Sequence, residues 1–186
     1  MKKVLTILVV LTLIAGAAFA DAPVAPAGNK ITLTTAIDPV KPSFKMSIKT
    51  GENTFSDATT YSVTKKLTEG VSEVFMIEQV GAARLAKGTA PVLTITCGSF
   101  YLYNGETKDE TKATALPEVT VTSTTNNRDN LAVTGTATDN IVTITPTYTG
   151  NVVAGEIARF SASWTADDTL PAGTYKADVQ LAYTAL

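Results

Sequence analysis

Apolar and polar residues alternate along much of this chain with a period of two. In SFKMSIK, residues 43–49, Phe44, Met46 and Ile48 share one face. Residues 92–97 set Leu93, Ile95 and Cys97 against Val92, Thr94 and Thr96, and EVTVTS (118–123) and IVTITPTYT (141–149) alternate again. So do IARFSASW (157–164) and TYKADVQLAYT (174–184). Alternation rich in β-branched residues is the signature of strands with one face buried. Turn-forming residues separate these runs at Gly51-Glu52-Asn53, Asn104-Gly105, Asn126 to Asn130, Gly150-Asn151 and Pro171-Ala172-Gly173. Short strands at this spacing predict an all-β protein, an antiparallel β-sandwich. One segment departs from the pattern. EQVGAARLAKG, residues 78–88, reads as a short helix weakened by Gly81.

The start of the chain has a different pattern. Lys2 and Lys3 precede an apolar run from Val4 to Ile14, and Ala18-Phe19-Ala20 forms a small-x-small site before Asp21. This is the layout of a secretory signal peptide over 1–20, so the chain is expected to be exported. Residues 21–40 then form an N-terminal extension, and 41–186 the sandwich domain. Within the extension, Ala22 to Gly28 is Pro-rich and reads as an extended lead-in to NKITLTTAIDPV, residues 29–40. That segment is one alternating strand. Ile31, Leu33, Thr35 and Ile37 lie on one face, and Thr32, Thr34 and Ala36 on the other. Pro39 lacks an N–H and ends it. Asp38 and Pro39 therefore form a hinge candidate between this strand and the body.

Composition narrows the chemistry. The 186 residues include no His and one Cys, and the net charge is −2. Without His there is no Ser-His-Asp or Cys-His catalysis and no His-based metal site. One Cys allows no internal disulfide and no thiolate zinc centre; at the end of an apolar run, Cys97 reads as a buried thiol. No Gly-rich phosphate loop matches either standard pattern, and no basic patch points to nucleic acid. The acidic neighbours Asp109-Glu110 and Asp167-Asp168 read as solvated loop charge rather than a catalytic or calcium pair. The chain is expected to be no enzyme and to need neither cofactor nor metal. Trp164 reads as core. Tyr101 and Tyr103 leave open a carbohydrate-binding module, the alternative function for a secreted β-sandwich.

Two terminal segments carry a resemblance. NKITLTTAIDPV resembles the mature N-terminus of the major pilins of alternate chaperone–usher, or colonisation-factor, fimbriae, which reads like K-N-I-T-V-T-A-S-V-D-P-V. Ile31, Thr32, Thr34, Asp38, Pro39 and Val40 match, and Leu33 and Ile37 are similar aliphatics. Asn29 and Lys30 appear in swapped order, and Thr35 and Ala36 stand where that family has Ala and Ser. The C-terminal segment SASWTADDTLPAGTYKADVQLAYTAL is similar to the family's Ser-x-Ser-Trp strand and final strand, through Ser161, Ser163 and Trp164, then Ala172, Gly173, Tyr175, Val179 and Leu181. Residues 50–150 carry no match.

The resemblance implies an immunoglobulin-like sandwich that lacks its last strand and is completed by the N-terminal extension of a neighbouring copy. Ile31, Leu33, Thr35 and Ile37 would be the donor strand. Gly173, Tyr175, Ala177, Val179, Leu181 and Tyr183 would form the acceptor edge, which a periplasmic chaperone covers before assembly through an outer-membrane usher. The implied partners are other copies of the chain, the chaperone and the usher, with a host glycan as a further ligand. The implied location is the periplasm and then the cell surface. The competing reading is a closed sandwich in which residues 30–37 are simply the first strand, paired within their own domain.

Overall fold

A computed structural model describes residues 34–165 and 168–184. The signal segment, Ile31, Leu33 and Asp167 lie outside the described residues. The chain divides into two units, Met1–Ile37 and Asp38–Leu186. Of the first, Thr34 to Ile37 are described; they are exposed and carry no regular secondary structure.

The second unit is a β-sandwich. In chain order its strands are β1 (Ser43–Lys49), β2 (Phe55–Ser56), β3 (Val71–Val80), β4 (Ala83–Arg84), β5 (Leu93–Cys97), β6 (Tyr101–Asn104), β7 (Thr107–Ala113), β8 (Glu118–Thr124), β9 (Leu131–Thr138), β10 (Ile141–Tyr148), β11 (Asn151–Val152), β12 (Gly155–Trp164), β13 (Thr174–Lys176) and β14 (Val179–Tyr183). One face is the sheet β2-β1-β3-β12-β8 and the other is β14-β5-β10-β9; β11-β4 and β13-β6-β7 form two small sheets. Strand neighbours pair antiparallel throughout.

The two main sheets meet through the alternating residues read from the sequence. Phe44, Phe75, Ile77, Phe160, Ala162 and Trp164 of one sheet face Leu93, Ile95, Cys97, Val142, Ile144 and Tyr148 of the other, and all are buried. Phe75 and Phe160 stack at 4.9 Å with an interplanar angle of 11°. A register shift in β12 between Glu156 and Ala158 lets Ile157 and Ala158 both turn inward.

Two expectations are corrected. Residues 78–88 are not helical. Glu78 to Val80 end β3, Gly81 turns the chain at φ 75°, and Ala83–Arg84 form β4. The helix reading failed because those residues are the polar end of a ten-residue central strand, whose pairing on both edges outweighs local helix propensity. The expected run 174–184 is two strands, because the chain breaks at Ala177-Asp178. Its partner breaks at the same level. β13 pairs with β6 and β14 with β5, and the Gly98 N–H donates to the Asp178 carbonyl at 2.8 Å between them. Three residues on one side oppose two on the other, so the whole strand pair bends at a bulge-like step. Finally, β3 and β9 were not read as strands from the sequence.

A buried amide ties the end of β3 to β11 and to the end of β10. Gln79 is 1% exposed. Its Nε2 donates to the carbonyls of Gly81 at 2.9 Å and Val152 at 3.3 Å, and its Oε1 accepts from the Tyr148 hydroxyl at 2.9 Å. Burial pushes the Tyr148 phenol up to about 12 from 10.0. A raised phenol pKa means that the folded chain keeps the proton the unfolded chain releases. This stability is complete below pH 10 and is lost as pH rises towards 12. Tyr148→Phe strands the Gln79 oxygen, and urea unfolding at pH 7 is expected to show a loss of about 1–2 kcal/mol. The variant is also expected to lose less of its remaining stability than the parent between pH 10 and 12.

Candidate functional site: an open edge and an anchored entry segment

The two sides of the sandwich differ. On one side β8 and β9 pack closely. A Cβ on Gly135 would stand 3.0 Å from Val121 Cγ1, 3.0 Å from Ile144 Cδ1 and 3.2 Å from Thr124 Cγ2, so glycine is what lets these edges close. On the other side β1 and β14 stay apart. β2 pairs with β1 only at Ile48 and Lys49, and β14 pairs only with β5. Their outer edges therefore carry N–H and C=O groups that no described strand pairs.

Between these edges runs a cleft of about 1060 Å³. Met46 and Ile48 line it from β1, Val71 and Phe75 from β3, Trp164 from β12, and Ala177 and Val179 from the C-terminal segment. Phe100, Tyr175 and the segment Leu170 to Thr174 complete the far wall, and Ala58 to Leu67 contribute much of the rim, including Tyr61, Lys65 and Lys66. At the other end, Phe44 and Tyr183 meet edge to face at 5.1 Å and bridge the two strands. The cleft is thus narrow where β1 begins and wide where β1 ends.

Of the C-terminal residues singled out in the sequence, Gly173, Tyr175, Ala177 and Val179 line this cleft. Tyr183 of β14, 40% exposed, meets Phe44, and Val179 and Leu181 pack on the core. Ala177 joins them at the bend. Tyr175 lies on β13 opposite Leu102, and its hydroxyl donates to the Pro171 carbonyl at 2.8 Å. Gly173 backs onto Leu102, whose Cδ1 would collide with any Cβ there. Four of these six residues therefore share the cleft wall, while Leu181 and Tyr183 continue along β14 beyond it.

The N-terminal residues are placed as follows. Thr35 and Ile37 are exposed, Ile37 at 71%. The hinge candidates Asp38 and Pro39 sit against an anchor that the sequence did not disclose. The Asp38 carbonyl accepts from Arg84 Nη2 at 2.8 Å and from Nε at 3.3 Å. Val40 and Arg84 exchange two backbone hydrogen bonds, both 2.8 Å. Arg84 was hidden inside the segment misread as a helix. Glu73 was missed as well. On β3 it falls on the inward-facing phase with Val71 and Phe75 and lines the cleft; burial pushes its pKa up and Lys65 pulls it back down.

The remaining candidates are placed as follows. Trp164 is 4% exposed, donates from Nε1 to the Gly98 carbonyl at 2.9 Å, and meets Phe100 edge to face. Lys108 lies over the Tyr101 ring at 3.6 Å and Lys176 over the Tyr103 ring at 4.6 Å, so one face of each ring carries an ammonium. Asp109 binds Thr111 through its N–H and its hydroxyl, which hold its pKa down, and Glu110 pairs with Lys108 at 3.1 Å. These two carboxylates serve separate local partners. Among the described residues no group of three or more His, Cys, Asp or Glu gathers as a metal site. Cys97 is buried, and burial pushes its thiol up to about 11.

No family model matches this chain, and neither does any curated protein or solved structure.

Arg84→Ala removes both side-chain bonds to Asp38 and leaves the Val40 ladder in place. Loss of about 1 kcal/mol of local anchoring is expected to speed exchange of the Val40 amide about fivefold, read by hydrogen-exchange NMR. Exchange at Ile144, deep in the core, is expected to stay unchanged.

Proposed function

We propose that this chain is a structural subunit of a surface fimbria, in which residues 31–37 of one copy fill the cleft of the next by donor-strand exchange. The observation that carries the reading is an apolar cleft between two unpaired strand edges, at the end of the sandwich opposite the point where the N-terminal segment joins it. Asp38 and Val40 are fixed beside the start of β1, whereas the wide mouth lies at the end of β1. Seven residues of strand separate the two, about 20 Å. A molecule with a strand to give at one end and a strand's gap at the other stacks head to tail. A repeated contact of that kind makes an open filament.

The energetics support the match. An added strand satisfies the bare N–H and C=O groups of β1 and β14 and excludes water from the cleft. Ile31, Leu33 and Ile37 would bury three aliphatic side chains, on the order of 5–9 kcal/mol before ordering costs. Thr35 contributes least. On this reading a periplasmic chaperone covers the same edges before assembly, an outer-membrane usher orders the exchange, and the chain acts as scaffold, without catalysis. Any glycan recognition would be additional to assembly.

The test is deletion. The chain lacking Asn29 to Ile37, co-expressed with its chaperone, is expected to yield a soluble complex that never polymerises, while the intact chain forms polymer. Polymer from the truncated chain, or a truncated chain that folds stably without a partner, overturns the reading. Substitution at the weak point gives a graded check. Thr35→Val exchanges a hydroxyl for a methyl on the inward face, and the polymer is expected to gain about 1 kcal/mol against guanidinium dissociation.

A further inference from the structure

A second surface lies at the end of the sandwich where the N-terminal segment joins it. Val40, Val80 and Val153 are 44%, 47% and 66% exposed. Single exposed valines are ordinary, but these three are neighbours. Val40 bridges to Arg84, whose other edge pairs with Asn151, two residues before Val153. Val80 immediately precedes the Gly81 turn that leads into β4. The patch also has a rigid base, because buried Gln79 holds the carbonyls of Gly81, Val152 and Val153 together.

We infer that this patch docks against the rim of the next copy's cleft, at Tyr61, and forms a contact between copies separate from the donor strand. The inference rests on the donor-strand reading and deepens it. If the segment ending at Ile37 lies in a neighbour's cleft, the Asp38 end of the body must sit against one end of that cleft. β1 and β14 run in opposite directions across the cleft, so a strand between them is antiparallel to one and parallel to the other. β2 already takes Ile48 and Lys49 of β1, while no described strand pairs the outer edge of β14. A donor antiparallel to β14 finishes where β14 begins, at Val179. That is the wide mouth, whose rim carries Tyr61, 38% exposed, with Lys65 and Lys66. The three valines meet an aromatic side chain, and Asp38 arrives beside two cations.

Three half-exposed valines are far too few for a free-standing interface, which buries on the order of 1,200 Å² or more. The donor strand supplies the missing association by tethering the two surfaces, so the contact forms at high effective concentration. Its role is to fix the angle between successive copies.

The test uses full-length chain carrying Val153→Cys. Cys97 is buried, so the new thiol is the one that reacts with a maleimide in folded protein. Labelling is expected to be at least tenfold slower in assembled fibre than in the chaperone-bound subunit. Combined with Tyr61→Cys, mild oxidation is expected to link successive copies into a ladder that survives boiling in detergent and collapses with reductant. Val80→Cys serves in the same two assays if the first variant does not fold. Equal labelling in fibre and subunit, with no ladder, overturns the contact and leaves donor-strand assembly standing. Absence of any fibre from unmodified chain, or fibre from chain lacking Asn29 to Ile37, overturns the donor-strand reading and the contact with it.

Discussion

The backbone groups along the facing edges of β1 and β14 set the terms for the rest of this molecule. Each strand residue brings a donor and an acceptor that must be paired or wetted. In β3, β5, β10 and β12 neighbours on both sides supply the pairing. At the β8 and β9 edges, close packing around Gly135 shuts the sandwich. At β1 and β14 neither happens. The sheets are held apart at the wide end, and a single ring contact, Phe44 on Tyr183, joins them at the narrow one. Met46, Ile48, Val71, Phe75 and Val179 line that gap beside the polar Ser47, Lys65 and Glu73.

The alternation in the chain disclosed the strands wherever one face was buried and the other open. β1, β5, β8, β10 and β12 were legible for this reason, and so was the inward identity of Phe44, Leu93, Ile95 and Trp164. β3 was not, because its inward row carries Glu73 and Gln79 among the apolar residues. Those two are the informative exceptions. Gln79 is polar because it gathers carbonyls from two segments and the Tyr148 hydroxyl from a third at one end of the fold. Glu73 lines the cleft, where an inward position of a closed sandwich would be apolar. β9 was obscured by its small residues, Ala132, Gly135 and Ala137, of which Gly135 lies against β8.

The candidate site was half legible. The described part of the N-terminal segment, Thr34 to Ile37, carries no regular strand, whereas the sequence disclosed the strand character of the C-terminal segment, since that depends on local pattern. It did not disclose the bend at Ala177-Asp178, which depends on a three-against-two mismatch with Gly98 to Phe100, nor the grip of Arg84 on Asp38. Both are pairings between residues far apart in the chain, and neither leaves a periodic trace. They nevertheless change the mechanical picture. With the Asp38 carbonyl and both Val40 backbone groups held by Arg84, the hinge candidate Asp38-Pro39 is tied to the body.

Such confinement has a consequence for how the chain's stability is distributed. An exported domain commonly stiffens itself with disulfides, and with one Cys this chain has none within itself. Its core is well packed on the closed side and around the Gln79 base, while the side flanked by β1 and β14 lacks a partner. A domain built this way gains its last increment of stability from whatever occupies the cleft, by the same mass action that lets any ligand stabilise the state it binds. When the occupant is a strand tethered to another copy, unfolding one subunit requires withdrawing that strand, and the tether keeps its local concentration high. On the proposed fimbrial reading, robustness would belong to the filament rather than to the subunit, and the hold of Arg84 on the Asp38 carbonyl would keep the connection to the donor short.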